Sequence, residues 1–142
     1  TAFTSSQDKN ELIKSMGADE VVSSTDKLSL KDMGAKFDLL ISTVNVSLDW
    51  NLFLNTIKPR GRLHFVGAVL EPIKSSVFSL MTGRRSISGS PVGSPKNIKK
   101  MLNFCVQHNI KPIVEHFKFS DINNAIDKVR SNEVRFRAVL SW

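Results

Sequence analysis

The stretch "TSSQDK", residues 4–9, gathers side chains suited to meeting an anion: three hydroxyls, Thr4, Ser5 and Ser6, followed by Lys9. Those residue types at that spacing serve two chemistries. Ser5 or Ser6 can accept a backbone N–H and cap a helix, and Ser5 with Asp8 three residues on forms a capping box. A helix start with extra hydroxyls and a lysine in its first turn also suits a phosphate. Lysine beside the positive end of a helix dipole is unfavourable unless an anion offsets it. On local chemistry alone both readings stand.

Three further stretches are small, polar or glycine-bearing: "STVN" at 42–45, "VGA" at 66–68 and "GSPVGS" at 89–94. Each follows a β-rich run, and in an open parallel α/β sheet ligands bind beyond the carboxyl ends of the strands. Ordinary turn chemistry explains any one of them. Four such ends in succession point to a ligand crevice. In dinucleotide folds an acid at the end of the second strand holds the ribose of NAD, whereas hydroxyls and a cation there favour the 2′-phosphate of NADP. No acid ends the strand before Thr4–Ser6.

Nucleophilic and metal chemistry find little support. His64, His108 and His116 are far apart in sequence. His64 sits mid-strand in "RLHFVG", where a packed role suffices. His108 ends a helix, where an imidazolium favours the dipole. Cys105, the one cysteine, reads as a small buried hydrophobe on an apolar helix face. No His, Cys or acidic pair has metal-ligand spacing, so the chain by itself carries no catalytic centre.

The elements that must position these residues follow from periodicity. Helices are predicted over 7–16, stopping at Gly17 as a left-handed cap, and over 48–57, ended by Pro59. A third begins at Ser94–Pro95 and presents Ile98, Met101, Leu102 and Cys105; a fourth begins at Ser120–Asp121 and presents Ile122, Ala125, Ile126 and Val129. Strands are predicted over 20–23, 37–43, 62–66, 86–88, 113–119 and 134–141. "FDLLISTV" and "RLHFVG" are continuous apolar runs, as in parallel strands covered on both faces. The last two alternate and predict half-exposed antiparallel strands. The connector over 67–93 is glycine-punctuated and weakly periodic, a length often functional.

At 142 residues, 41% hydrophobic and 23% charged, the chain has the profile of one soluble domain. No apolar run reaches the ~18 residues of a membrane span, and a single cysteine excludes an internal disulfide. Residues 1–57 hold five Lys/Arg against eight Asp/Glu, and residues 58–142 fifteen against five, for a net +7. The basic residues are scattered through amphipathic segments without a reader motif, so nucleic acid is not the expected partner. A cytoplasmic setting is expected.

In order, "TSSQDKNELIKSMGADEVVSS", "FDLLISTVNV", "IKPRGRLHFVGA", "GRRSISGSPVGS", "MLNFCVQHNIKP" and "VRFRAVL" resemble the C-terminal portion of zinc-containing alcohol dehydrogenases of the cinnamyl alcohol dehydrogenase group. The resemblance covers essentially the whole chain. It implies an α/β fold: a partial Rossmann doubly wound parallel sheet lacking its first strand and glycine-rich turn, over 1–112. Residues 113–142 would return to the catalytic domain as a helix and strand. None of the seven glycines forms G-x-G-x-x-G, and the family's zinc ligands would lie before Thr1.

The function so implied is hydride transfer between NADP(H) and an alcohol or aldehyde, with zinc in a separate catalytic domain. The 142-residue chain alone is expected to be inactive. By position, Thr4, Ser5, Ser6 and Lys9 would hold the 2′-phosphate, and Thr43 and Val44 would line the crevice. Gly67, Ala68, Ser90, Pro91 and Val92 would meet the nicotinamide end, largely through backbone. Arg137 would lie near the pyrophosphate, and Ser42 stands where the family usually carries an acid. The edge over 86–93 would form a homodimer, and unpaired sheet edges would drive self-association or a rearranged strand order. The alternative is a non-catalytic NADP-binding or interaction module.

Overall fold

The computed structural model describes residues Thr1–Trp142, which divide into two compact units, Thr1–Val92 and Gly93–Trp142. In the first, β1 (Ala2–Thr4) pairs in parallel with β2 (Val21–Ser23), and β3 (Phe37–Ser42), β4 (Ile57–Phe65) and β5 (Ser86–Gly89) form a second parallel sheet in that order. The helices α1 (Asn10–Ser15), α2 (Lys27–Asp32), α3 (Trp50–Asn55) and α4 (Val77–Gly83) supply the crossovers. Parallel neighbours need such connections because a tight hairpin reverses the chain.

The core of this unit sits on one face of β3–β4–β5. Leu40 and Leu63 from the sheet meet Trp50, Phe53 and Leu54 from α3, with Leu30 of α2 and Ile57 closing the cluster. Full burial of a side chain of this size is worth about 1.5–3 kcal/mol, so α3, with three, is the helix that anchors the sheet. Phe3 of β1 joins the cluster through edge-on contacts with Phe37 and Phe53 at 5.7 and 5.5 Å between ring centres. Trp50 meets Phe65 edge-on at 4.7 Å.

Several boundaries depart from the periodicity reading. The first helix opens as a 3-10 turn, Gln7–Lys9, before α1, and Gly17 takes the expected left-handed conformation after it, at φ 98°. α3 stops at Asn55, four residues before Pro59, with the Thr56 hydroxyl donating to the Phe53 carbonyl at 2.7 Å. β4 starts at Ile57 because Gly61 lets the strand bulge against β3. A β-carbon there would lie 2.8 Å from the Asp38 carbonyl oxygen. The connector holds α4, which ends at Arg84 in the left-handed region, at φ 49°. Arg85 then fastens it, donating from Nε to the Ile57 carbonyl at 2.7 Å and from Nη1 to that of Ser79 at 3.0 Å.

In the second unit α5 (Pro95–Gln107) begins as expected: the Ser94 hydroxyl accepts from the Asn97 N–H at 3.3 Å and Pro95 occupies the first turn. After it come β6 (Glu115–Lys118), α6 (Ile122–Arg130) and β7 (Ala138–Ser141). The expected antiparallel pairing is corrected here: β6 and β7 run parallel, Glu115 opposite Ala138 through Lys118 opposite Ser141. The reason lies in α6, whose crossover brings the chain back to the same end before β7 starts. Residues 134–137 are not strand, since Phe136 turns the backbone at φ 70°.

Candidate cofactor site

Parallel pairing brings the carboxyl ends of β3, β4 and β5 to one edge, with Ser42 opposite Phe65 and Phe65 opposite Gly89. The chain leaves that edge in close layers. The Val66 and Gly67 N–H groups both donate to the Ser42 carbonyl, at 2.9 and 3.1 Å, and the Ser90 N–H donates to that of Phe65 at 3.0 Å. Gly67 is needed for this approach. A β-carbon there would lie 2.2 Å from the Val44 carbonyl oxygen and 2.6 Å from that of Thr43.

Beside this edge, a cavity of about 680 Å³ lies between β1 and β3. These two strands are not hydrogen-bonded to each other; each carries a ladder on its other side only. Thr4 and Ser5 line the cavity at the end of β1, Thr43 and Val44 at the end of β3. Ser42 and Trp50 border it as well, and Ser42 Oγ and Trp50 Nε1 are buried without a hydrogen-bond partner. The gap runs the whole length of both strands, from Thr1 and Phe37 to Ser5 and Val44.

Two hydroxyl residues that the sequence reading passed over, Ser24 and Thr25, line the same cavity at the end of β2. The signal was present: "SSTDK" at 23–27 repeats the composition of "TSSQDK" at 4–9. Ser23 and Thr25 lie within hydrogen-bond distance at 3.0 Å, and the Ser24 N–H donates to the Thr4 carbonyl at 2.8 Å, tying the two strand ends together.

The capping role expected of Ser5 or Ser6 is corrected. Thr4 accepts the Ser6 N–H at 3.2 Å, while Ser6 donates its hydroxyl to the Asp8 carboxylate and caps no helix N–H. The 3-10 turn displaces the start of α1 to Asn10, so that Lys9 and neither serine stands at its N-cap. Ser5 is left exposed on the cavity rim and Lys9 is exposed on the turn. The side chain that organises a helix start lies on the β2 side, where the Asp26 carboxylate accepts from the Leu28 and Ser29 N–H groups at 3.0 and 3.2 Å. The Ser29 hydroxyl, followed by these backbone bonds, holds the Asp26 carboxyl below its usual range. Lys36, then Thr1, does the same to Glu20.

The remaining expected residues divide by place. Gly67, Ala68, Ser90, Pro91 and Val92 gather at the ends of β4 and β5, outside the cavity wall. Arg137 belongs to the second unit, in the turn before β7. His64 is half-buried on β4, with Nδ1 2.9 Å from Ser88 Oγ and Nε2 3.0 Å from Ser90 Oγ. His108 closes α5 with its ring against Phe104, and Cys105 is half-buried, its thiol donating to Met101 Sδ at 3.7 Å. No three His, Cys, Asp or Glu side chains come together as a metal-holding group. No helix is long and apolar enough to cross a membrane.

Parallel strands joined by helical crossovers, with small and glycine-bearing turns at their carboxyl ends, make a Rossmann-type cofactor domain. The order β2–β1 on one flank and β3–β4–β5 on the other is that of a doubly wound fold on either side of its centre. The chain belongs to the zinc-binding dehydrogenase family, whose model matches residues 1–107. It is 49% identical to aldehyde reductase AdhA of Synechocystis sp. over 141 residues, 99% of this chain and 42% of that protein. It is 34% identical to cinnamyl alcohol dehydrogenase 2 of Arabidopsis thaliana over 136 residues, 96% of this chain and 36% of that protein.

Solved structures agree. A cinnamyl alcohol dehydrogenase from Sorghum bicolor superposes with a TM-score of 0.88 at 30% identity, over 97% of this chain and 39% of its own. The cinnamyl alcohol dehydrogenase of Helicobacter pylori, solved as a complex with NADP(H), superposes at 0.78 with 28% identity, over 97% and 39%. The chain thus spans about two fifths of the length of these relatives.

Proposed function

We propose that this chain forms the NADP-binding part of an oxidoreductase that moves hydride between the cofactor and an alcohol or aldehyde. The observation that carries the reading is the convergence of hydroxyl side chains from three strand ends on one cavity, with no acid at the end of β1. Thr4 and Ser5 would hold the 2′-phosphate with Lys9 as counter-charge, and Ser6 would steady the turn. Ser24 and Thr25 extend that polar wall. Thr43 and Val44 would flank the cofactor as it crosses the sheet edge. Gly67 and Ala68 then keep the backbone close enough to face the nicotinamide end, with Ser90, Pro91 and Val92 opposite.

When bound, NADP(H) supplies the hydride at its nicotinamide ring. This chain's residues bind it, orient it and exclude water from one side. They bring no ligand set for zinc, and their part in the chemistry is positioning. Residues 113–142 are assigned to the catalytic domain, Arg137 to the neighbourhood of the pyrophosphate, and the edge over 86–93 to a homodimer contact in a cytoplasmic enzyme.

Titration with NADPH and NADH, followed by cofactor fluorescence, tests the reading. Binding of NADPH at micromolar concentration, with NADH weaker, is the expected result. Equal affinity for the two, or no binding of either, contradicts it.

A further inference from the structure

The face of the second sheet away from the core carries an imidazole held at both nitrogens. Register puts Ile41, His64 and Ser88 side by side on that face, with Leu39, Arg62 and Ser86 in the row before them. Leu39 and Ile41 offer no polar atom, and Arg62 reaches Ser86 instead, at 3.4 Å. The two rings of contact around His64 are therefore both serines: Ser88 Oγ at 2.9 Å from Nδ1 and Ser90 Oγ at 3.0 Å from Nε2.

A neutral imidazole has one N–H donor and one acceptor nitrogen. One serine must therefore donate to the ring and the other must accept from it. Ser88 is mid-strand and half-buried, and its hydroxyl has no other acceptor among the hydrogen bonds of the protein. Ser90 is exposed at the strand end, where its hydrogen can go elsewhere. The arrangement that leaves no enclosed hydroxyl unpaired runs from the Ser88 O–H to Nδ1 and from Nε2–H to the Ser90 oxygen. A chain of bonds in one direction also polarises each member.

We propose that His64 is a positioning residue that orients the Ser90 hydroxyl as an outward-pointing hydrogen-bond donor, aimed at an acceptor oxygen on the nicotinamide side of the bound cofactor. The inference rests on the cofactor reading above, and deepens it. Nε2–H occupies one lone pair of the Ser90 oxygen and the ring takes nothing from its O–H, so that O–H is left to be given to the ligand. His64 itself touches no ligand.

Two measurements test this on the 142-residue chain. Nitrogen-15 NMR of the His64 ring reads the tautomer without any cofactor. A proton on Nε2, with the Nδ1 signal perturbed by Ser88→Ala, is the expected result; a proton on Nδ1 overturns the relay. NADPH titration then reads the consequence. Ser90→Ala and His64→Leu are each expected to weaken binding about threefold to tenfold, the range of one net hydrogen bond. The double variant should be no weaker than Ser90→Ala alone. His64→Gln, whose amide can still donate to Ser90, should restore most of the affinity. Wild-type binding unchanged in His64→Leu but weakened in Ser90→Ala overturns the proposal while leaving the cofactor reading in place. Failure of the wild-type chain to bind NADPH removes the cofactor reading, and the tautomer measurement alone then decides whether the relay exists.

Discussion

The two ends of the candidate site are built on opposite plans. At the β1–β2 end the backbone stands apart from β3, and the hydroxyl residues Thr4, Ser5, Ser24 and Thr25 line the gap between them. At the β4–β5 end the backbone itself closes in, with Gly67 against the Thr43 and Val44 carbonyls and Ser90 N–H on Phe65. The first plan suits discrimination between cofactors, because a hydroxyl or a cation can be exchanged without disturbing the strands. The second suits fixed geometry, where any added atom displaces a carbonyl. Substitutions at the two ends should therefore fail differently.

The largest effect is expected at the backbone-built end. Gly67→Ala puts a β-carbon against two backbone carbonyls that cannot rotate away. A loss of about 2–3 kcal/mol of stability is expected in denaturant unfolding, with cofactor binding lost in step. A Gly67→Ala protein as stable as wild type would break the comparison. At the side-chain end, Lys9→Ala should leave the unfolding curve unchanged while reducing NADPH affinity about tenfold, and NADH affinity much less. Alcohol oxidation should be absent in both variants and in the wild-type chain, and measurable turnover by the purified chain would contradict the purely positioning role.

Sedimentation sharpens the contrast from the outside. β1 and β3 each present an unpaired edge to the cavity, and such edges recruit further strands. Concentration-dependent association is expected, reduced when a ligand fills the cavity. A monomer at every concentration would count against it. The smallest effect concerns Asp26 and Glu20. Both carboxyls are held below their ordinary values of 3.8 and 4.5, so their contribution is present above those values and lost as pH falls below them. Asp26 is exposed and Glu20 only half-buried, so solvent screens both and thermal unfolding should lose only a little between pH 5 and pH 3. Asp26→Ala should remove part of that slope and Asp26→Asn, which still caps, should restore stability at neutral pH.

What the sequence disclosed follows the same division. Strand ends were legible because close backbone approach needs glycine and because hydroxyls cluster where a ligand or a helix start must be met. The helices with broad apolar stripes, α3 and α5, were legible too. α2 and α4 were not: α2 buries Leu30 alone and α4 buries only Gly83, so neither leaves a periodic signature. The antiparallel expectation for β6 and β7 failed because alternation reports one exposed face and says nothing about direction. The serine cap failed because a 3-10 turn shifts the helix start by a few residues, a difference no composition records. His64 looked like packing in sequence, since its two serine partners lie 24 and 26 residues away.

The claim that side chains at the β1–β2 end read the 2′-phosphate is tested most directly with half of the cofactor. Adenosine 2′,5′-bisphosphate and adenosine 5′-monophosphate differ by that phosphate and carry no nicotinamide. Titrating each into the chain while following backbone amide resonances isolates the cavity from the β4–β5 end. The account predicts that the bisphosphate moves the amides of Thr4–Lys9, Ser24 and Thr25, and that the monophosphate binds far more weakly. Equal binding of the two, or shifts confined to residues outside the cavity, would contradict it.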